Sequence, residues 1–383
     1  MKQIARILAI VLLLSCAGWG QVIPKLAQVF AYLCSNDFQT CPNGFDPVLS
    51  PLQIGKTSFF YAASFYGGQG GSNSGGTIVR TNTTGLANLV YTFQPGPLND
   101  FPDGDHPAVA FVAGPDGNFY GVTQKGGSHN WGTMFRLTPS GAVQKVYDFC
   151  SLANCIDAGT PLTLGKDGNF YGLASTVFYR ITPQGVWSQV ATLPVNYGLY
   201  TPLIQASDGN FYGANVIQNG DGSGVAFRVS PSGQYSELHR FDPFAAPSCP
   251  MIQASDGNLY GATTNLGPGT GIFRLSLSGD FQIIRELTSN TGYGPVQILQ
   301  ASDGNIWGLT ITASGTFFRI RLDGTLLDLG YFDCNRTGCL PTQMIQASDG
   351  NFYGVADAGG FAPPNQVALG TIFRIAAGLP HPQ

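Results

Sequence analysis

Short runs of alternating apolar and polar residues recur along this chain, each bounded by Gly, Pro, Asn, Asp or Ser. This is the pattern of half-buried strands separated by tight turns. The runs also repeat as phrases. Asp116-Gly117-Asn118-Phe119-Tyr120-Gly121 returns from Asp167, Asp208, Asp256, Asp303 and Asp349, always with an apolar and then an aromatic residue in the fourth and fifth places. A worn seventh copy reads Lys56-Thr57-Ser58-Phe59-Phe60-Tyr61. From Asp116 the copies start 51, 41, 48, 47 and 46 residues apart. A period in this range signifies a stacked array or a propeller.

Each repeat offers four strand-like segments, A to D. A short apolar segment such as Pro202-Leu203-Ile204-Gln205 precedes the phrase, and the phrase itself opens B. Segment C follows as Gly132-Thr133-Met134-Phe135-Arg136-Leu137, with counterparts carrying Arg80, Arg180, Arg228, Arg274, Arg319 and Arg374. A looser D follows, such as Ala142 to Phe149. Asp-Gly between A and B, and Pro-Ser-Gly or Leu-Asp-Gly between C and D, are hairpin-turn signals because Gly supplies a positive φ. Four antiparallel strands, seven times, predict an all-β fold: a seven-bladed β-propeller. The last repeat stops after its C segment, Gly370 to Ile375. A D-like segment, Leu26 to Leu33, stands at the other end of the chain. The N-terminal strand is therefore expected to complete the last blade and close the ring, which an open solenoid would not need. Residues 21–383 then form a single domain.

The phrase Ser-Asp-Gly-Asn-Phe-Tyr-Gly followed by Gly-Thr-x-Phe-Arg-Leu-Thr-Pro-Ser-Gly resembles the GloVer tandem repeat of exported bacterial proteins, over nearly all of residues 50–376. The resemblance implies export and carries no established activity. More distantly, the phrases are similar to those of virginiamycin B lyase-type propellers and of sensor propellers in two-component regulators. The former enzymes use an acid–base site on the loop face with a divalent metal, and that constellation does not map onto this sequence residue by residue.

Composition agrees with strands and tight turns. Charged residues make up 10% of the chain, beside 52 Gly, 25 Pro and 12% aromatics. Lys2 and Arg6 precede the apolar run Ile7 to Leu14, so residues 1–20 read as a signal peptide. Cleavage after Gly20 is one reading; Leu13-Leu14-Ser15-Cys16 as a lipobox, with a lipid anchor on Cys16, is the other. Losing Lys2 and Arg6 takes the formal charge from −4 to −6. With no basic cluster, nucleic acid is not an expected partner. The expected location is the bacterial periplasm, outer surface or extracellular space, with the protein a monomer.

Cysteines follow the repeat. Cys34/Cys41, Cys150/Cys155 and Cys334/Cys339 each lie just after a D segment and read as three local disulfides. Each would contribute about 2 kcal/mol by loop closure. Cys249 is left over, as a buried or semi-buried thiol.

The repeated Asp and Arg invite a metal or ion-pair reading, but a repeat spreads identical groups round a circle instead of converging different ones. The Asp is expected to accept backbone N–H groups of its own turn, and the Arg to pair with a turn Asp or with carbonyls between blades. The repeated Tyr and Trp are expected to pack between blades.

Function is expected on the other face, where the B–C and D–A loops vary. Its richest group surrounds blade two: Asp103, Asp105 and His106 before it, and Lys125, His129, Asn130 and Trp131 in its B–C loop. His106, His129, Asp103, Asp105 and Lys125 are the candidate acid–base residues. Against this stands the plainer reading of solvated loop side chains. Candidate ligand-binding residues are Trp131, Asn130, Asn196, Tyr197, Tyr200, Asp221 and Asp357. No cofactor or committed metal site is expected, although a divalent metal on the loop face stays open. Three readings follow: a non-enzymatic module binding a glycan or cell-surface protein, a carbohydrate-active enzyme of lyase or hydrolase type, or a purely architectural surface protein.

Overall fold

The computed structural model describes residues 24–35, 41–47, 52–53, 59–68, 75–96, 101–107, 111–151, 154–155, 161–174, 176–194, 201–216, 224–242, 245–264, 271–288 and 292–380. Every named element among them is a strand. Blade six shows the plan: A (Pro295–Gln300), B (Ile306–Thr310), C (Thr316–Ile320) and D (Leu326–Tyr331) pair antiparallel in that order. Seven such blades form a β-propeller. In blades one, two and five the A strand is broken in two. In blade two, Asp105–Pro107 and Val112–Ala113 pair with opposite ends of the same B strand, Phe119–Lys125. A strands of neighbouring blades pack against one another, which places the A edges round the axis and the D edges at the rim.

The ring closes as its ends imply. Blade seven takes A (Cys339–Gln346), B (Phe352–Ala358) and C (Gln366–Ala376) from the C-terminal part of the chain. Its D strand is the N-terminal Lys25–Ser35, with Lys25 opposite Ala376 and Ser35 opposite Gln366. In blade one, Tyr61 stands opposite Arg80, as Tyr120 stands opposite Arg136. The worn copy therefore begins at Thr57, one residue later than the sequence reading placed it, and Lys56 is not the counterpart of the turn Asp.

The seams between blades follow from strand alternation. The B-strand aromatic points at the next blade and packs on its B strand: Tyr120 on Phe170 at 4.5 Å between ring centroids, Tyr171 on Phe211 at 4.4 Å, Trp307 on Phe352 at 4.5 Å. Tyr353 on Phe60, at 4.5 Å, closes blade seven onto blade one in the same way. Such pairs contribute roughly 0.5–1.5 kcal/mol each beyond their burial.

The Gly that ends each C–D turn serves the seam as well as the turn. At Gly185, Gly279 and Gly324 φ is positive, and a Cβ would strike the D-strand carbonyl of the preceding blade, at Val146, Leu238 and Ile284 respectively. Gly85 lies in the same way against Val29 of the closing strand.

Gly324→Ala is thus expected to destabilise the protein by about 1–3 kcal/mol more than Gly209→Ala. Both positions have positive φ, but nothing lies near a Cβ at Gly209. Urea-unfolding midpoints of the two variants provide the comparison, and equal midpoints would refute the packing role.

Candidate functional site

The polar letters of the repeated phrase are spent on the scaffold. Asp208 Oδ1 accepts the Asn210 backbone N–H at 3.0 Å, and its Oδ2 accepts the Asn210 side-chain amide and the Tyr212 hydroxyl, both at 2.8 Å. Tyr hydroxyls reach Asp116, Asp167, Asp256 and Asp349 at 2.8–2.9 Å in the same way. Blade six has Trp307 instead of Tyr, and there Arg319 takes over, with Nε 2.9 Å from Asp303 and Nη1 2.9 Å from Asp328. The expected Arg–Asp pairing to a turn aspartate occurs in this blade. Arg274 and Arg228 instead donate to Gln282 and Ser236 of their own D strands.

The Gln at the head of the phrase joins blades. Gln253 accepts the backbone N–H of Ser207 in the preceding blade at 2.7 Å, and its amide donates to Ser207 Oγ and to the Gly257 carbonyl of its own turn. Gln300 does the same to Ser255, and Gln346 binds Ser302. Sequence reasoning missed this role. The available signal was the return of Gln at 205, 253, 300 and 346, always immediately before Ala-Ser-Asp.

On the opposite face, the D–A loops enter their blades through a repeated motif. Gly44, Gly104, Gly292 and Gly338 lie against buried hydroxyls at the loop end of strands B and C. In blade two Thr123 and Thr133 contact each other at 3.0 Å, and Thr133 donates to the Asp103 carbonyl at 2.8 Å. Two residues after this Gly the backbone turns left-handed, at His106 (φ 58°), Gly294 (φ 62°) and Leu340 (φ 56°), and Pro follows. The His106 N–H donates to the Gly75 carbonyl of blade one, and the Leu340 N–H to the Ser314 carbonyl of blade six. The unusual backbone at His106 therefore belongs to the repeat, and only its side chain is particular to blade two.

That side chain forms a tight pair. His106 Nδ1 lies 2.5 Å from Asp105 Oδ1, and both side chains are largely buried. The imidazole packs edge-on against the rings of Phe65 (4.5 Å) and Tyr66 (4.9 Å) of blade one. The other candidates do not join it. Asp103 Oδ2 accepts the Tyr91 hydroxyl at 3.0 Å. Lys125 and His129 are exposed. Asn130 (φ 61°) uses its Oδ1 to accept the Gly126 N–H at 2.9 Å, which holds the turn. Trp131 is 44% exposed on that turn. Asp357 is half-buried at the loop end of its B strand. Among the described residues no group of three His, Cys, Asp or Glu side chains could hold a metal ion. Cys16, Lys56, Asn196, Tyr197, Tyr200 and Asp221 lie outside the described residues.

Two of the expected disulfides are present. Cys34–Cys41 ties the closing strand to the A strand of blade one, and Cys334–Cys339 ties blade six to the A strand of blade seven. Cys150 stands opposite Cys155 in a two-stranded ribbon, and the Cys155 side chain lies outside the described residues. Cys249 is a free, buried cysteine, and burial pushes its thiol up to about 12. That environment suits an inert thiol, not a nucleophile.

No protein-family model matches the sequence, and no curated protein matches it, so the repeat-family resemblance rests on the phrases alone. Solved structures do match in fold. A catalytically inactive variant of virginiamycin B lyase from Staphylococcus aureus, solved with quinupristin, is 17% identical, with 92% of this chain and 99% of that chain covered and a TM-score of 0.61. Two extracellular domains from B. thetaiotaomicron proteins named as hybrid two-component systems are 14% and 12% identical, with TM-scores of 0.57 and 0.58. These matches cover 88% and 91% of this chain and 41% and 39% of theirs. At such identities the likeness is one of fold, and function is read from the site.

Burial alone would raise the turn carboxyls. The Asn and Tyr hydrogen bonds outweigh it and hold Asp116, Asp167, Asp208 and Asp256 below the ordinary 3.8. The stability these groups contribute is fully present above pH 3.8 and is lost as pH falls through their lowered native values. Urea midpoints followed from pH 6 downward should therefore drop in acid, with a smaller drop in Asp208→Asn. An unchanged slope would contradict the network. For Cys249, a thiol reagent should give no signal from this residue in the native protein at pH 8. On unfolding without reductant a signal should appear, and Cys249→Ala should lack it.

Proposed function

We propose that the protein is an exported binding module whose B–C/D–A face takes up a glycan. The observation that carries this reading is the distribution of exposed apolar side chains. Among the described residues Trp131, Ile311, Tyr331, Leu340 and Phe361 lie at the loop ends of their strands, four of them in blades six and seven, while Phe59, Leu86 and Val186 are exposed at the turn ends, so all the exposed aromatics but Phe59 are on the loop face. Exposed aromatics beside polar loop groups suit sugar rings, whose C–H faces stack on aromatics while their hydroxyls take hydrogen bonds. On the other face, the Asp, Asn and Gln groups of the repeated turns are already hydrogen-bonded within the scaffold. The two disulfides support export, with a signal peptide over residues 1–20 and a lipid anchor at Cys16 as the alternative processing. A cell-surface protein is the other partner this face would suit.

A second reading has one observation in its favour. His106 Nδ1 and Asp105 Oδ1 stand 2.5 Å apart, an imidazole beside a buried carboxylate as acid–base chemistry requires, without hydrogen-bond geometry between the two atoms. It supports the alternative of a carbohydrate-active enzyme of lyase or hydrolase type.

A glycan array probed with the mature protein distinguishes these readings. Binding without turnover, weakened about tenfold or more in Phe361→Ala or Trp131→Ala, is the expected result. Chemical change of a bound glycan that disappears in His106→Ala would replace the binding module with the enzyme. Absence of any glycan binding would remove the leading proposal.

A further inference from the structure

A slot of about 360 Å³ opens at the rim between the D strands of blades six and seven, lined by Leu26 and Gln28 on one side and by Tyr331, Asp333, Arg336 and Thr337 on the other. It lies entirely within the described residues. Its origin can be read from the repeat. Near the loop end of strand D, opposite Ile78, Met134 and Ala226, blades one, two and four carry Tyr91, Tyr147 and His239, while blades three and five carry Ala191 and Arg285. Opposite Phe317, blade six carries Gly330, where a Cβ would strike the ring of Phe317 itself. In blade four the His239 ring stacks on Phe281 of blade five at 3.7 Å and 7°, which fills the seam. Phe281 is opposite Leu275, and Leu26 is opposite Ile375, so Leu26 occupies the place of Phe281 in blade seven. Where the seam of blades four and five holds the stacked rings of His239 and Phe281, the seam of blades six and seven holds the Phe317 ring, which lies over Gly330, and Leu26.

The walls of the slot differ in chemistry. Leu26 is apolar, and Tyr331 is 65% exposed. Asp333 begins a turn in which its carboxylate accepts the Asn335 N–H, and the Arg336 and Thr337 N–H groups return to its carbonyl. That turn holds Arg336 at the rim, exposed and in no ion pair among the described residues. Gln28 is held in place from the far side by its two hydrogen bonds with the Phe361 backbone. An aromatic wall, a guanidinium and a single carboxylate would accept a ring with a C–H face, hydroxyls and one anionic group.

We infer that this slot is a subsite for an acidic pyranose, a uronic acid residue of the glycan, stacked on Tyr331 with its carboxylate on Arg336. The inference rests on the glycan-binding reading and adds to it a place and a class of sugar. The Asp333 carboxylate serves a sugar hydroxyl, while the Thr337 hydroxyl holds the turn by accepting the Asp333 N–H and donating to the Asp333 carbonyl.

The experiment is titration calorimetry of the mature protein with trisaccharides containing glucuronate, galacturonate or mannuronate. Each is compared with the same trisaccharide after reduction of its carboxylates to alcohols. The expected result is that at least one acidic trisaccharide binds about tenfold or more tightly than its reduced form, and that Arg336→Ala removes the difference. Arg336 is exposed on a turn, so this variant should fold as the parent does. Leu26→Phe, which puts back the ring of the other seam, should block binding by filling the slot. Equal binding of acidic and reduced sugars, or a preference that survives Arg336→Ala, overturns the subsite and leaves the glycan reading standing. If none of the trisaccharides binds and the glycan array is also empty, both fall.

Discussion

A tyrosine hydroxyl buried in the seam between two blades needs an acceptor, and the aspartate of its own A–B turn provides one. Much of the scaffold is organised round that bond. The Asp can face the hydroxyl because Asn210 and its equivalents hold both carboxylate oxygens in place. The Asn can do so because the intervening Gly has a positive φ and makes the turn tight. The same turn presents a Ser to the Gln of the next blade, which clasps both turns. Nine residues therefore set a turn, a seam and a link to the neighbouring blade together, so the phrase returns nearly unchanged. Where the Tyr becomes Trp307, the carboxylate is met by an arginine instead.

The blade count, the strand order and the closing strand were legible because they depend on period and on local turn chemistry, which one repeat displays by itself. The Gln clasp was not, since its partner lies 44–46 residues earlier and neither residue looks unusual alone. The register of blade one was misread by one residue because Phe59-Phe60-Tyr61 offers two aromatic pairs, and only the position of Arg80 decides between them. At the site, proximity along the chain proved a poor guide. His106 and Asp105 do meet, but Asp103 turns to Tyr91 and His129 to solvent. The slot at blades six and seven left almost no mark in the sequence, since the two stretches that line it, 26–28 and 331–337, stand at opposite ends of the chain and meet only in the closed ring.

The two faces of the ring are built by different rules. On the turn face, identical side chains meet identical partners, and little is left for a ligand. On the loop face, the backbone entry of each D–A loop is repeated while the side chains are not: the left-handed position carries His106 in one blade, Gly294 in another and Leu340 in a third. Repetition there fixes where a side chain stands and leaves its identity open, so chemistry can change one blade at a time without disturbing the scaffold.

The closing strand also sets an order of events. Gln28 and Phe361, which hold one another by two hydrogen bonds, are 333 residues apart. During synthesis the first strand of the domain must wait until the last has emerged, while blades one to six can pair from neighbouring segments. Throughout that interval Lys25–Ser35 is an unpaired apolar ribbon, the kind of edge that other chains add to. Contacts this distant form slowly. The protein thus completes its fold in a single late event, and the interval before it is when a holding chaperone would matter most.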